Sequence, residues 1–245
     1  RYSSAASDVY KRQNLRSKEN NTIEWVVPDT FANPIGQIGI SINSDDNVSG
    51  KILINYLNIS GTPKMTFRRP DHIDEYKRGI FYKEEVYGQL WKRAWVNDVD
   101  KWQYRHNESF KVVRGIGRGH IMTGSETWKD YTISSKISIP LASAAGLIVR
   151  SQGLKRYYSL ELTSENKLKI NKMEYELKTL NEIDFNLEYF KDYDLKFKVD
   201  GNKLQGYVDN QLLIEAEDSS NPFKEGMMGF LTENGAIQSN SISIE

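Results

Sequence analysis

The run GLIVRSQGLKRYYSLEL, residues 146–162, carries charged and aromatic side chains inside two strand-like stretches. Period-two alternation places Arg150 and Gln152 on one face of the first stretch, and Tyr157 and Glu161 on one face of the second. Guanidinium and carboxylate groups bind hydroxyls, and aromatic rings stack on the apolar face of a sugar. If the two strands are neighbours, these residues predict a concave polar patch that binds a carbohydrate.

Two further side chains extend the predicted patch. Trp128 stands at the start of the preceding strand, where it either contacts a ligand or fills the core, since an indole buries a large apolar area. Arg156 lies in the loop QGLKRYY, from which it can reach a ligand at the rim of the sheet. The alternative is a solvent-facing ion pair between Arg150 and Glu161, worth about 0.2–1 kcal/mol. The predicted ligand-binding set is Trp128, Arg150, Gln152, Arg156, Tyr157 and Glu161.

Metal binding has little support in the sequence. The stretch NSDDNVSG, residues 43–50, has enough oxygen ligands for a structural calcium ion, but its spacing differs from that of an EF-hand loop and favours a polar hairpin loop. His72, His106 and His120 are far apart, and the absence of cysteine excludes thiolate sites and disulfides. We therefore predict no cofactor, with structural calcium as the open alternative.

Hydrolytic chemistry is equally weakly indicated. Glu161 with Asp209 or Glu215 would supply the two carboxylates that glycoside hydrolysis needs, but 33 acidic residues make such pairs common by chance. No G-x-S-x-G motif for a serine nucleophile occurs. The glycines of RGIGRGH, residues 114–120, lack the spacing of a phosphate-binding loop.

The charge balance limits the classes of partner. Lys plus Arg and Asp plus Glu both number 33, so the formal net charge is zero. Long-range attraction to nucleic acid or to an anionic membrane is therefore not expected. No apolar run approaches the roughly 20 residues that span a bilayer. A glycan-binding role would favour a secreted or cell-surface location.

Period-two alternation dominates from residue 35 onward and predicts an all-β protein. Strands are predicted in KILINYLNIS (51–60), in DYTISSKISI (130–139) and in SISI (241–244). The stretch 194–218 predicts a three-stranded meander, because DGN and DNQ separate three alternating runs. These segments are the elements that must position the candidate side chains.

The chain is predicted to form two β-sandwiches. A boundary is expected near residues 105–125, where glycines and polar residues interrupt the pattern, which gives a first sandwich at 21–110 and a second at 111–245. Residues 1–20 are predicted to be non-native or disordered, since RYSSAASDVYKRQ resembles a translated sequencing-adaptor tail on a metagenomic gene fragment.

Three motifs carry a family resemblance: Trp128–Tyr131, Val149–Tyr158 and the closing glycines of 226–230. They resemble the concanavalin-like, laminin-G-like (jelly-roll) modules that accompany bacterial carbohydrate-active enzymes. Within that class the chain is most similar to the C-terminal region of bacterial proteins of the ADP-ribosylglycohydrolase family. The resemblance implies an upstream α-helical catalytic domain in the parent protein, which has no counterpart in these 245 residues.

These observations together predict a non-catalytic carbohydrate-binding or accessory module of a larger bacterial hydrolase. One alternative is a concanavalin-like glycoside hydrolase or lyase that uses paired carboxylates. A second alternative is a purely structural or interaction module. No catalytic residue, no nucleic-acid partner and no membrane partner is predicted.

Overall fold

The structure is a computed structural model that describes residues 14, 16, 19–26, 49, 51–58, 61–69, 92, 94–103 and 108–245. Within these ranges the chain forms fourteen β-strands, and none of its helices is long and apolar enough to cross a membrane. The strands are β1 Met65–Phe67, β2 Val96–Asp98, β3 Lys101–Trp102, β4 Phe110–Thr123, β5 Tyr131–Leu141, β6 Ala144–Ser151, β7 Arg156–Thr163, β8 Lys167–Glu174, β9 Glu176–Asp184, β10 Asp192–Asp200, β11 Lys203–Val208, β12 Gln211–Glu217, β13 Met227–Ser239 and β14 Ile242–Ile244.

Strand β13 joins two layers of one antiparallel sheet. The order is β12-β11-β10-β5-β13-β6-β7-β8-β9, and β4 lies along the other side of β13. The first half of β13 pairs with β6 and its second half with β5, with a β-bulge between Glu233 and Gly235. We call β6–β9 with the first half of β13 the front layer, and β5 with β10–β12 the back layer. The sheet therefore folds over on itself into a sandwich.

The apolar core lies between the two layers. Tyr158, Leu160 and Leu162 of the front layer belong to the same buried cluster as Leu195 and Phe197 of the back layer. At the far edge, the Asn181 amide of β9 donates a hydrogen bond of 2.7 Å to the Glu215 carbonyl of β12. Burial of one face of each layer is the main stabilising contribution to this fold.

The all-β prediction is confirmed, and so are several strands. Residues 194–218 form the meander β10–β11–β12, with a β-bulge between Gly206 and Tyr207 in the second hairpin. Its turns use left-handed backbone at Gly201, Asp209 and Asn210, which the DGN and DNQ sequences supply at low cost. The predicted strands at 130–139 and 241–244 correspond to β5 and β14.

One strand prediction in the first half of the chain is wrong, because residues 51–58 form no strand although they alternate. Residues 110–123, in which the domain boundary is predicted, form β4, the longest strand of the described residues. Strand β1 pairs with β14, and β2 and β3 pair with β4, so these strands belong to the same sheet as 110–245. The remainder of 21–110, and most of 1–20, lies outside the described residues, and the division into two sandwiches stays a prediction.

Candidate functional site

The outer face of β7 carries polar side chains, as the alternation predicts. Tyr158 lies in the core, and its neighbours Tyr157, Ser159 and Glu161 therefore point to the opposite face of the front layer. This face is not open, however, because Tyr157 is 0 % exposed and Glu161 is 1 % exposed. His120 lies against this face, since its ring is 5.2 Å from the Tyr157 ring and its Nε2 contacts the Leu154 carbonyl of the β6–β7 loop.

Arg118 of β4 connects this face to two carboxylates. It stands opposite Glu233 of β13, and its Nη1 donates a hydrogen bond of 2.9 Å to Glu233 Oε2. Its Nη2 donates to Glu161 Oε1, which also accepts from the Ser159 hydroxyl. Gly146 of β6 stands opposite Glu161 and has no side chain, so the guanidinium can pass over β6 to reach β7.

His120 completes the group two residues further along β4. Its Nε2 donates to the Leu154 carbonyl at 3.1 Å, which leaves Nδ1 as the acceptor of the neutral ring. Burial lowers the His120 pKa below its usual value; the Leu154 carbonyl and Asp98 oppose this shift, and the positive charge of Arg118 adds to it. The ring is therefore neutral near pH 7.

The charges of these residues shift one another's pKa values. Burial disfavours the charged form of Arg118, but Glu161, Tyr157 and Glu233 outweigh that effect and raise its pKa. Burial raises the Tyr157 pKa above its usual range, which the nearby guanidinium only partly offsets. We call Arg118, His120, Tyr157, Ser159, Glu161 and Glu233 the polar cluster.

Three buried atoms of the polar cluster lack a hydrogen-bond partner within the described part of the chain. They are Arg118 Nε, Tyr157 Oη and His120 Nδ1. The Tyr157 hydroxyl lies beside the Arg118 guanidinium without a well-formed hydrogen bond. An unpaired buried polar atom costs about 1–3 kcal/mol, so three such atoms on one face are unusual in a folded protein.

The buried imidazole predicts a pH dependence of stability. Because the His120 pKa is lower in the folded chain than in the unfolded chain, the unfolded state binds more protons below about pH 6.5. The free energy of unfolding is therefore expected to fall as the pH decreases from about 6.5, by at most about 1.4 kcal/mol per pH unit for this one proton. Urea denaturation of wild type and His120→Gln between about pH 7.5 and 5 measures it. An identical pH slope in both proteins would contradict the prediction.

The predicted place of Arg150 on this face is wrong. Its backbone is left-handed, with φ of +47°, and its side chain lies on the opposite side of the layer from Tyr157, where it is 1 % exposed. The guanidinium donates to the carbonyls of Lys129 and Phe223 at 3.0 and 2.7 Å, to that of Gly201, and to Asp130 Oδ1 at 2.8 Å. The ion pair between Arg150 and Glu161 is also wrong, because each has another partner.

The remaining predicted residues lie away from the polar cluster. Trp128 is half-buried, packs against the core and meets the Tyr131 ring edge-on at 6.3 Å. Gln152 is exposed in the β6–β7 loop, where its Oε1 accepts from Arg156 Nε at 3.2 Å. Of the six predicted residues, only Tyr157 and Glu161 belong to the cluster.

The predicted carboxylate pairs do not form among the described contacts. Asp209 accepts from the Asp194 backbone at 3.0 Å, and Glu215 pairs with Lys203 at 2.9 Å, both on the back layer. No group of three or more His, Asp or Glu in the described residues could hold a metal ion. His72, His106 and all of the predicted calcium loop except Ser49 lie outside the described residues.

Solved structures share this architecture. The chain is similar to the carbohydrate binding module CBM66 from Bacillus subtilis, with a TM-score of 0.56, 23% identity, and coverage of 62% of this chain and 95% of that chain. It is also similar to a protein of unknown function with a galectin-like fold from Bacillus subtilis, with a TM-score of 0.50, 9% identity, and coverage of 63% and 90%. No family model and no curated protein matches the sequence. The fold is a galectin-like β-sandwich.

Sequence reasoning missed four members of the cluster on this galectin-like sandwich: Arg118, His120, Ser159 and Glu233. Arg118 and His120 alternate with glycine in RGIGRGH, which is the spacing of side chains on one face of a strand. The glycines favoured an irregular segment instead. Glu233 gave no comparable signal, because only the pairing of β13 with β4 places it beside Arg118.

Proposed function

We propose that this sandwich is a non-catalytic carbohydrate-binding module and that the polar cluster binds a neutral sugar. One observation carries the proposal: a guanidinium bridges two carboxylates on one sheet face, and the side chains of Arg118 and Glu233 remain partly exposed there. Sugar hydroxyls both donate and accept hydrogen bonds. They therefore suit a face on which the partly exposed Arg118 guanidinium donates and the partly exposed Glu233 carboxylate accepts.

The ligand can approach the cluster from the Glu233 edge. The side chain of Arg118 retains 16% of its exposure and that of Glu233 retains 27%, whereas Glu161 is sealed behind them. A sugar at this edge would contact the guanidinium and the Glu233 carboxylate first. The similarity to the CBM66 fold is compatible with such a role.

The charges of the cluster favour a neutral sugar over an acidic one. Two carboxylates face one guanidinium, and the lowered pKa of His120 keeps its ring uncharged near pH 7. A uronic or sialic acid would bring a third carboxylate to this group, and like charges at close range are unfavourable. We therefore expect binding of uncharged oligosaccharides.

The same contacts support a binding role over hydrolysis. Glycoside hydrolysis needs one carboxyl group free to protonate a leaving group. Glu161 Oε1 already accepts hydrogen bonds from Arg118 and Ser159, and Glu233 Oε2 accepts from Arg118. We propose in addition that the parent protein carries an upstream hydrolase domain, as the resemblance to the ADP-ribosylglycohydrolase family implies, which the module would hold near its substrate.

Replacing Arg118 by lysine tests the site. Lysine keeps the charge but replaces the planar five-donor guanidinium by a compact ammonium that does not reproduce the bridge between the two carboxylates, so affinity is expected to fall at least about tenfold. Calorimetric titration with neutral oligosaccharides of glucose, galactose, xylose, arabinose and fructose, and with acidic ones for comparison, measures the loss. Release of reducing ends from the same oligosaccharides tests for hydrolysis.

Arg114→Lys is the matched control for this experiment. Arg114 lies on the same strand and also pairs with two carboxylates, those of Asp98 and Asp100, so its replacement should leave sugar affinity unchanged. Equal losses in both variants would contradict a specific site at Arg118. Hydrolysis by the wild-type chain would contradict the non-catalytic role.

A further inference from the structure

Tyr175 presents an aromatic ring to solvent from a left-handed backbone. It is the single residue between β8 and β9, its φ is +66°, and it is 69 % exposed. Bulky side chains rarely adopt this region, and glycine or asparagine would occupy the turn at lower cost. Four of the seven non-glycine residues with positive φ in the described part of the chain are Asn or Asp. A tyrosine at this position is therefore not explained by turn geometry.

Polar groups surround one side of this ring. The Arg156 guanidinium lies 6.0 Å from the centre of the Tyr175 ring, and it donates to Glu174 Oε1 at 3.1 Å. The Asn221 amide donates to the same oxygen at 3.0 Å. Arg156 also stacks over the buried Phe223 ring at 4.7 Å, which fixes the guanidinium in place. The start of β7, the end of β8 and the loop before β13 thus bring planar polar groups to one aromatic surface.

Two partly exposed leucines belong to the segments that flank this turn. The Tyr175 backbone N–H donates to the Lys155 carbonyl at 2.8 Å, which brings the β6–β7 loop, with Leu154 at 42% exposure, next to the turn. Leu177 follows the turn at 45% exposure. An exposed aromatic ring with a guanidinium 6.0 Å from its centre, and with a carboxylate and an amide bonded next to that guanidinium, matches the two surfaces of a sugar ring.

We propose that Tyr175 is a stacking platform for a sugar ring, with Arg156, Glu174 and Asn221 binding its hydroxyls. This inference rests on the proposed carbohydrate-binding function and adds a second contact at the loop end of the front layer. It accounts for the retained backbone strain, because an asparagine at position 175 would stabilise the turn and remove the platform. It also places the predicted residues Arg156 and Gln152 next to a ligand.

Tyr175→Asn separates binding from folding. Asparagine tolerates left-handed backbone, so the melting temperature is expected to stay unchanged or to rise. The affinity of the full 245-residue chain for the neutral oligosaccharide panel is expected to fall about tenfold, which corresponds to about 1.4 kcal/mol. Tyr175→Phe keeps the ring and should keep wild-type affinity within about twofold.

Phe190→Asn is the matched control. Phe190 has φ of +64° and is 74 % exposed, but it lies in the β9–β10 loop and has no cation–ring contact among the described residues. Its replacement should leave affinity unchanged. Wild-type affinity in Tyr175→Asn, with lost affinity in Arg118→Lys, would overturn the platform and leave the proposed function intact. Absence of binding by the wild-type chain to every oligosaccharide would overturn both.

Discussion

Replacement of Arg150 by methionine is expected to lower the free energy of unfolding by about 3–5 kcal/mol. The guanidinium donates to three backbone carbonyls and to Asp130, and methionine would leave these carbonyls without their donor in a buried region. These acceptors lie just before β5, in the β10–β11 turn and in the loop before β13, so one side chain of the front layer contacts segments of the back layer. For a chain of this size the loss corresponds to about 10 °C in melting temperature.

Arg156→Met provides the comparison for this effect. Arg156 is also an arginine on the front layer, but it is partly exposed and forms a surface ion pair with Glu174 at 3.1 Å. Its loss should cost no more than about 1 kcal/mol. Urea denaturation of both variants gives the two values, and comparable losses would show that Arg150 is not the stabilising contact that its geometry indicates.

Arg150 also shows why strict alternation predicts a ligand-binding role for a residue that stabilises the fold. Each residue of a regular strand points to the face opposite that of its neighbour, and the sequence gives no sign that Arg150 has positive φ. The irregular backbone turns its side chain toward the core side of the layer. Ser151 then contacts Met122 on the outer face, against the predicted alternation. A single irregular dihedral angle therefore reverses the prediction for the residues around it.

The meander of the back layer was predictable because its two faces meet different environments. Leu195, Phe197 and Val199 lie in the core, whereas Lys196 and Lys198 between them point outward. Short loops with Gly, Asn and Asp then set the register between the strands. Where one face of a strand is buried and the other is exposed to solvent, the alternation of apolar and polar residues is enough to predict which side chains point to the core.

Prediction of strands from the residue pattern fails in β4 and at residues 51–58. In β4, a Cβ on Gly119 would lie 2.6 Å from the Asp98 carbonyl of β2, so glycine serves the close approach of two strands and not an irregular segment. Residues 51–58 alternate but pair with no other strand of the described chain. The alternation of a segment predicts that it can form a β-strand. Whether it does so depends on a partner strand that is distant in sequence.

The polar cluster is a product of that long-range pairing. Arg118 and Glu161 are 43 residues apart in sequence, and they meet because β13 inserts between β4 and β6. Each was recognisable as a polar residue within a strand, but the contact depends on strand order. Sequence reasoning therefore found one end of the cluster, at Tyr157 and Glu161, and missed the guanidinium that organises it.

Gly146→Ala is expected to destabilise the chain by about 3 kcal/mol, at the upper end of the range for overpacked sites. A Cβ on Gly146 would lie 1.8 Å from the Leu160 carbonyl, which is backbone and cannot move aside without separating β6 from β7. Gly146 also stands opposite Glu161. Separation of the strands would draw Glu161 away from Arg118, so sugar affinity should fall together with stability.

Gly115→Ala is the control for Gly146→Ala. It tests whether the destabilisation comes from the clash of the added Cβ with the backbone or from the replacement of any glycine in a strand. Gly115 is exposed in β4, and an added Cβ would meet only the flexible Asp100 carboxylate, at 3.2 Å. Its replacement should change the free energy of unfolding by less than about 1 kcal/mol. Urea denaturation and oligosaccharide titration of both variants give stability and affinity together. Wild-type values for Gly146→Ala would mean that β6 and β7 are further apart than described, and the route of Arg118 over Gly146 to Glu161 would then need another explanation.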